Sequence, residues 1–263
     1  MTSEWIVKNV MKAMPSPKSA LLIEGLPGIG NVGKVAVDFL VQDWKAKQVC
    51  SFFSHALPNS VFVNEKNLVE LPSITLYHKK VQGKDILLLA GDVQPTDEAS
   101  SYSFCETVLN LCKQYQVKEI VTLGGIGLQA IPAEPKVYCT ANDHAIMQAY
   151  KKYTKVNTNL YGVVGPIIGV SGLLLGLAKQ KQIQAGALLA ETFGHPMYLG
   201  VKGSKEILKV LQQRFKLKMN LKELDKDIAE LEKEIKEGKD PVHPTRLQKI
   251  APQIKENEQN YIG

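Results

Sequence analysis

The sequence predicts an α/β fold: a mixed, mostly parallel, doubly wound sheet flanked by helices, with a C-terminal helix and tail. Three observations lead there. Apolar runs of strand length alternate with segments whose apolar residues fall at helical spacing. Several runs are apolar at every residue rather than every second one, so the sheet needs cover on both faces. The turn Gly25-Leu-Pro-Gly-Ile-Gly-Asn-Val-Gly33 joins a strand directly to a helix, the order of a βα unit.

Trp5, Ile6, Val10 and Met14 share one helical face ahead of Pro15 and Pro17, so a short docking helix is expected first. Residues 20–24 form a compact apolar strand. After the glycine turn, Val32, Val35, Ala36, Phe39 and Leu40 recur at helical spacing, with Asn31 as the expected N-cap. Further strands are expected at 49–54, 73–78, 85–90, 119–123, 160–164 and 185–190, and helices at 97–115, 142–153, 170–180 and 204–215. The turn at 79–84, around Gly83, predicts one antiparallel hairpin.

The chain changes character near Leu217. Asn220-Leu-Lys-Glu223 reads as a capping box, Met219 and Leu224 as a hydrophobic staple, and Gly238 with Pro241 and Pro244 as a stop, predicting a helix over 221–237. Hence the expected organisation: an α/β core over 1–216, a helix over 217–238 packed on the core or a neighbour, and an extended tail over 239–263. Leu221, Leu224, Ile228, Leu231 and Ile235 form an a/d stripe. Its flanks carry Asp225, Asp227, Glu232 and Glu234, so two copies would meet acid to acid. The stripe should instead find basic flanks, for which the lysine-bearing helix at 204–215 is the candidate.

Composition narrows the function. With 263 residues and 44% hydrophobic content, the chain can bury one large core. The net charge of +6 comes from scattered lysines with acids interleaved, which argues against a nucleic-acid stripe. Cys50, Cys105, Cys112 and Cys139 are too widely spaced for a zinc site, so no metal is expected and the thiols read as buried and reduced in a cytoplasm. The longest apolar stretch, 166–178, contains glycines and is too short for a bilayer.

Two phosphate-binding patterns overlap in the glycine turn, and each lacks a working part. As a dinucleotide fingerprint, Gly28-Ile-Gly30-Asn-Val-Gly33 needs an acid at the end of the next strand, and Val49-Cys-Ser-Phe-Phe-Ser-His55 supplies none. As a P-loop, Gly33-Lys34 should be followed by a hydroxyl for magnesium, and Val35 has none. The leading reading is structural: glycines allow a sharp turn and close helix–sheet contact, and Pro27 stiffens the bend. A helix N-terminus there could still attract an anion or a partner's carboxylate. At the other strand ends, Gly91-Asp92, Glu134, Glu191 and His195 are candidates for a crevice, with no catalytic residue or cofactor assigned.

Five segments occur in order: Glu24-Gly-Leu-Pro-Gly-Ile-Gly-Asn-Val-Gly33, Leu123-Gly-Gly-Ile-Gly127, Glu134-Pro-Lys-Val-Tyr138, Gly165-Pro-Ile-Ile-Gly-Val-Ser-Gly-Leu-Leu-Leu-Gly176 and Glu191-Thr-Phe-Gly-His-Pro196. Together they closely resemble archaeal members of the proteasome-assembly-chaperone family, related to the second subunit type of the eukaryotic chaperone. Glu24, Gly25, Pro27, Gly28, Gly30, Asn31 and Gly33 form the signature turn. The resemblance implies a fold similar to nucleoside phosphorylases, a homo-oligomer, and ATP-independent binding of 20S proteasome α-subunits, assembly intermediates or the core particle. It implies no catalytic residue. A small-molecule-binding enzyme of nucleoside-phosphorylase type is the alternative. Some archaeal relatives dock a C-terminal hydrophobic–tyrosine–any sequence between α-subunits. Here the last residues are Asn260-Tyr261-Ile262-Gly263. The tyrosine is one place out of register behind an asparagine, so partner binding without that docking is expected.

Overall fold

The computed structural model describes residues 5–11, 19–64, 66–162, 165–195 and 198–236. In chain order the elements are β1 (Ile6–Asn9), β2 (Ala20–Gly25), a 3-10 turn (Ile29–Asn31), α1 (Val32–Asp43), β3 (Lys47–Phe53), β4 (Phe62–Val63), β5 (Val69–Glu70), β6 (Ile74–Val81), β7 (Lys84–Gly91), α2 (Glu98–Gln114), β8 (Val117–Leu128), β9 (Val137–Ala141), α3 (His144–Tyr153), α4 (Val170–Gln180), β10 (Gln184–Phe193), α5 (Val201–Phe215) and α6 (Lys222–Lys236).

Eight strands form one sheet in the order β1-β3-β6-β7-β2-β8-β10-β9. The central four, β7-β2-β8-β10, are parallel. The outer strands join antiparallel, including the hairpin of β6 and β7 around Gly83. The unbroken apolar runs follow from this position. Leu21 and Ile23 of β2 enter a core with α1, α3, α5 and α6, while Ala20 and Leu22 enter a second core with α2 and α4. Every residue of such a strand meets a helix, which is why period-two alternation is lost. The mixed α/β class expected from the sequence is the one observed.

Several local expectations are corrected. The opening segment is a strand, not a docking helix: Ile6 to Asn9 pair antiparallel with Phe53 to Cys50. Trp5 anchors it, buried with its ring 4.6 Å from Phe104 and its indole N–H on the Ser100 carbonyl. The open backbone edge of β3 outweighed four apolar residues at helical spacing; Met14 lies outside the described residues. The expected strand at 160–164 is also absent from its described part: Leu160 to Gly162 form no strand, and Tyr161 is fully exposed. The edge next to β10 is taken instead by β9, a segment to which the sequence pattern assigns no element. The ribbon of β4 and β5 was likewise not foreseen.

Asn31 occupies the cap position of α1, but it is left-handed (φ 50°) and its side chain makes no cap bond. Asp97 and Asp143 do cap, accepting from Ser100 N at 2.9 Å and Ala145 N at 2.8 Å.

α6 lies along α5. Leu224 is buried in the core that contains α1 and α5, Leu221 and Ile228 pack against it, and Leu231 is buried as well. Lys202 pairs with Glu232 at 2.7 Å and Lys205 pairs with Asp225. The backbone of α6 continues through Ile235. At its start Asn220 Oδ1 accepts from Lys222 N at 3.3 Å, while Asn220 N donates to Asp43 Oδ2 at 3.2 Å. Asp43 thus takes the reciprocal role expected of Glu223. Residues 237–263, including Tyr261, Ile262 and Gly263, lie outside the described residues.

Candidate functional site

β2 sends α1 to one face of the sheet and its neighbour β7 sends α2 to the other, so a crevice should open at their carboxyl ends. The glycine turn fills that place. A Cβ on Gly25 would lie 2.2 Å from the Gly33 carbonyl oxygen, and one on Gly33 would lie 2.3 Å from that of Leu123 in β8. Gly30 is left-handed (φ 58°), its Cα faces Thr192 of β10, and its carbonyl accepts from Gly200 N at 2.7 Å. The Pro27 carbonyl accepts from Gln94 Nε2 at 2.7 Å, and Gln94 Oε1 accepts from Val170 N, the first residue of α4, at 3.3 Å. Backbone therefore occupies the ground a pyrophosphate would need. Gly28 differs: a Cβ there meets nothing within 4 Å, and Ile29 beside it is exposed.

Lys34, the residue a P-loop would aim at phosphate, is committed elsewhere. Its ammonium lies 2.9 Å from Asp38 and 3.7 Å from Asp92, and donates to the Gly91 carbonyl at 3.0 Å. Asp92 in turn accepts from the backbone N–H and hydroxyl of Ser73. Burial opposes the ammonium, but the two carboxylates outweigh it and hold the Lys34 pKa above its ordinary value. The cluster ties α1 to the ends of β7 and β6.

Glu24 ends β2 fully buried. Its carboxylate accepts from Leu26 N at 2.9 Å, inside the turn, and from the Ser171 hydroxyl at 2.9 Å, at the start of α4. Burial raises its pKa to about 7, against the two hydrogen bonds that lower it. One carboxyl group thus joins strand, turn and helix.

The other candidates do not converge on a reacting set. Glu191 turns to β9, accepting from Tyr138 Oη at 3.1 Å and Lys136 N at 3.0 Å. Glu134 is exposed in the loop between β8 and β9. His195 is exposed, its ring stacked 5.9 Å from that of Phe193. All four cysteines are buried and free. Among the described residues no cluster of three or more His, Cys, Asp or Glu could hold a metal, and no helix is long and apolar enough to cross a membrane. Gln94 and Ser171 were missed as parts of this corner. Ser171 lies inside one of the five family segments with nothing to mark it, and Gln94 carries no sequence signal.

The model of the PAC2 family matches residues 22–238. This chain belongs to the PAC2 family. The family resemblance carried by the five segments is thereby borne out. An uncharacterized protein of Methanocaldococcus jannaschii is 26% identical over 258 residues, 98% of each chain. Among solved structures, Pyrococcus furiosus PbaB, described as an archaeal proteasome activator, superposes with a TM-score of 0.80 at 26% identity, covering 90% of this chain and 99% of that one. PbaA from the same organism, described as an archaeal homolog of proteasome-assembly chaperone, gives 0.70 at 21% identity, covering 97% of this chain and 100% of that one. The PbaA likeness concerns the fold.

Proposed function

We propose that this PAC2-family chain is a cytoplasmic binding protein that forms homo-oligomers and engages 20S proteasome α-subunits, assembly intermediates or the core particle without consuming ATP. The observation that carries the reading is the likeness to PbaB across 99% of that protein's length. ATP independence is supported by the local chemistry: the turn that resembles a P-loop is packed against β8 and β10, and its lysine is paired with two aspartates. In this reading the signature turn is a rigid corner rather than an anion site, and no catalytic residue or cofactor is needed. What the corner does is hold the carboxyl end of the sheet in one shape, so that surfaces around it can meet a partner without an ordering cost.

The test is capture of purified 20S core particle and of separate α-subunits by the full chain, with and without ATP. Capture that ATP leaves unchanged is expected; no capture of either form overturns the reading. The enzyme alternative is separated by thermal unfolding with inorganic phosphate, which is expected to leave Tm unchanged.

A further inference from the structure

The loop from β3 to β6 leaves the sheet at the same end as the glycine turn, since Ile74 pairs with Gly91 at the finish of β7. It carries the β4–β5 ribbon, whose ladder is only Phe62↔Glu70 and Val63↔Val69. The Val63↔Val69 pair puts both on one face of that ribbon, and one more step of the same alternation into the flanking residues puts Val61 and Leu71 beside them. These four are 52%, 58%, 68% and 61% exposed, and Phe62 and Leu68 on the other face are 44% and 59% exposed. One face is therefore aliphatic throughout, with no charged side chain among its four members.

A two-stranded ribbon is marginal on its own in water. The four aliphatic side chains of that face, 52–68% exposed, present on the order of 400 Å², within the range of the largest patch on a monomer. That is about half of the roughly 800 Å² each partner contributes to a stable pair. We propose that this ribbon is where a second copy of the chain docks, the aliphatic faces of the two ribbons packing against each other about a twofold axis.

Charge selects a second copy as the occupant. Copies with a net charge of +6 repel, and in a twofold pair the same patch faces itself, so a self-docking face must not carry a cluster of like charges. The Val61, Val63, Val69 and Leu71 face meets that condition. The other apolar stripe with clear periodicity, on α6, is already covered by α5 and is flanked by acids. Homomeric interfaces are also the most apolar class, whereas transient partners meet a surface of ordinary polarity.

The proposal rests on the self-association part of the function proposed above, and the experiment separates the two. Sedimentation of the full chain over a wide concentration range is compared with Val63→Glu combined with Val69→Glu. The variant sets carboxylates against carboxylates, so self-association should weaken by at least about tenfold, with the circular dichroism spectrum unchanged. If it fails to fold, Val63→Cys is treated with a short bis-maleimide. The native cysteines are buried, so linkage should come through position 63 and yield dimers; no dimer overturns the proposal. A monomeric wild-type chain at every concentration overturns it, as does an unchanged oligomer in the charged variant. Capture of 20S particles is measured on the same samples. Lost capture with an intact oligomer overturns the proposal and assigns the ribbon to the proteasome partner, while lost self-association with capture retained supports it.

Discussion

The Ser171 hydroxyl donates to the Glu24 carboxylate at 2.9 Å across 147 residues of sequence, tying the end of β2 to the first turn of α4. Leu26 N holds the other oxygen at 2.9 Å, so a single fully buried side chain fixes both the glycine turn and the helix that faces it.

Glu24 makes stability fall as pH rises. Its folded pKa is about 7 against 4.5 for the free group, so between these values the native state holds a proton that the unfolded state has released. Its contribution declines from about pH 4.5 upward and is fully lost above about pH 7, by up to roughly 3 kcal/mol. Glu24→Gln should flatten that part of the profile and unfold later than wild type at pH 8. Chemical denaturation of both proteins from pH 5 to pH 8 measures it; parallel profiles would show that Glu24 is not the titrating group.

Two glycines of the turn should respond very differently. Gly33→Ala gains up to about 1 kcal/mol of helix propensity. It also drives a Cβ to 2.3 Å from the Leu123 carbonyl, a rigid backbone atom, and that strain is expected to win by roughly 3 kcal/mol. Gly28→Ala meets nothing within 4 Å, and its extended backbone (φ −162°) suits any residue, so a change within about 0.5 kcal/mol is expected. Urea midpoints of the two variants decide it.

Lys34→Met should destabilise by roughly 3–5 kcal/mol, because it leaves the buried Asp38 and the partly buried Asp92 facing each other without a cation. Adding Asp38→Asn to Lys34→Met should restore part of the loss. A Lys34→Met protein as stable as wild type would show that the ammonium serves no structural purpose and reopen a ligand role for it.

On α6 the apolar contacts should outweigh the ion pairs. Leu231→Asp places a charge where only 2% of the residue is exposed and should cost roughly 3 kcal/mol, read as lost hydrogen-exchange protection along α6. Ile228→Asp, at a half-buried site, should act in the same direction with smaller size. Lys202→Ala and Lys205→Ala should each cost less than about 1 kcal/mol, since their carboxylate partners are 47% and 52% exposed.

Much of this protein could be read from local pattern. The strands β2, β3, β6, β7, β8 and β10 announced themselves as apolar runs, and α2, α3, α4 and α5 by helical periodicity. Both are properties of neighbouring residues, so the sequence states them directly. The family was legible too, because its signature is a set of glycines whose spacing survives without knowledge of their contacts. What Gly25, Gly30 and Gly33 touch was not legible: the Leu123 carbonyl, Thr192 and Gly200 N belong to strands and loops far along the chain. The same limit explains the corrected opening segment, where Ile6 and Val10 fit a helix locally and only the vacant edge of β3 drew Ile6 to Asn9 into a strand. It explains Lys34 as well, whose place beside Gly28 and Gly33 suggested phosphate until Asp92, brought in by β7, took its charge. Residue order alone determined the layers, the βα corner and the family. Tertiary structure decided what the corner's polar groups bind and which apolar ribbon was left facing water, because burial and charge pairing depend on distances that sequence separation does not encode.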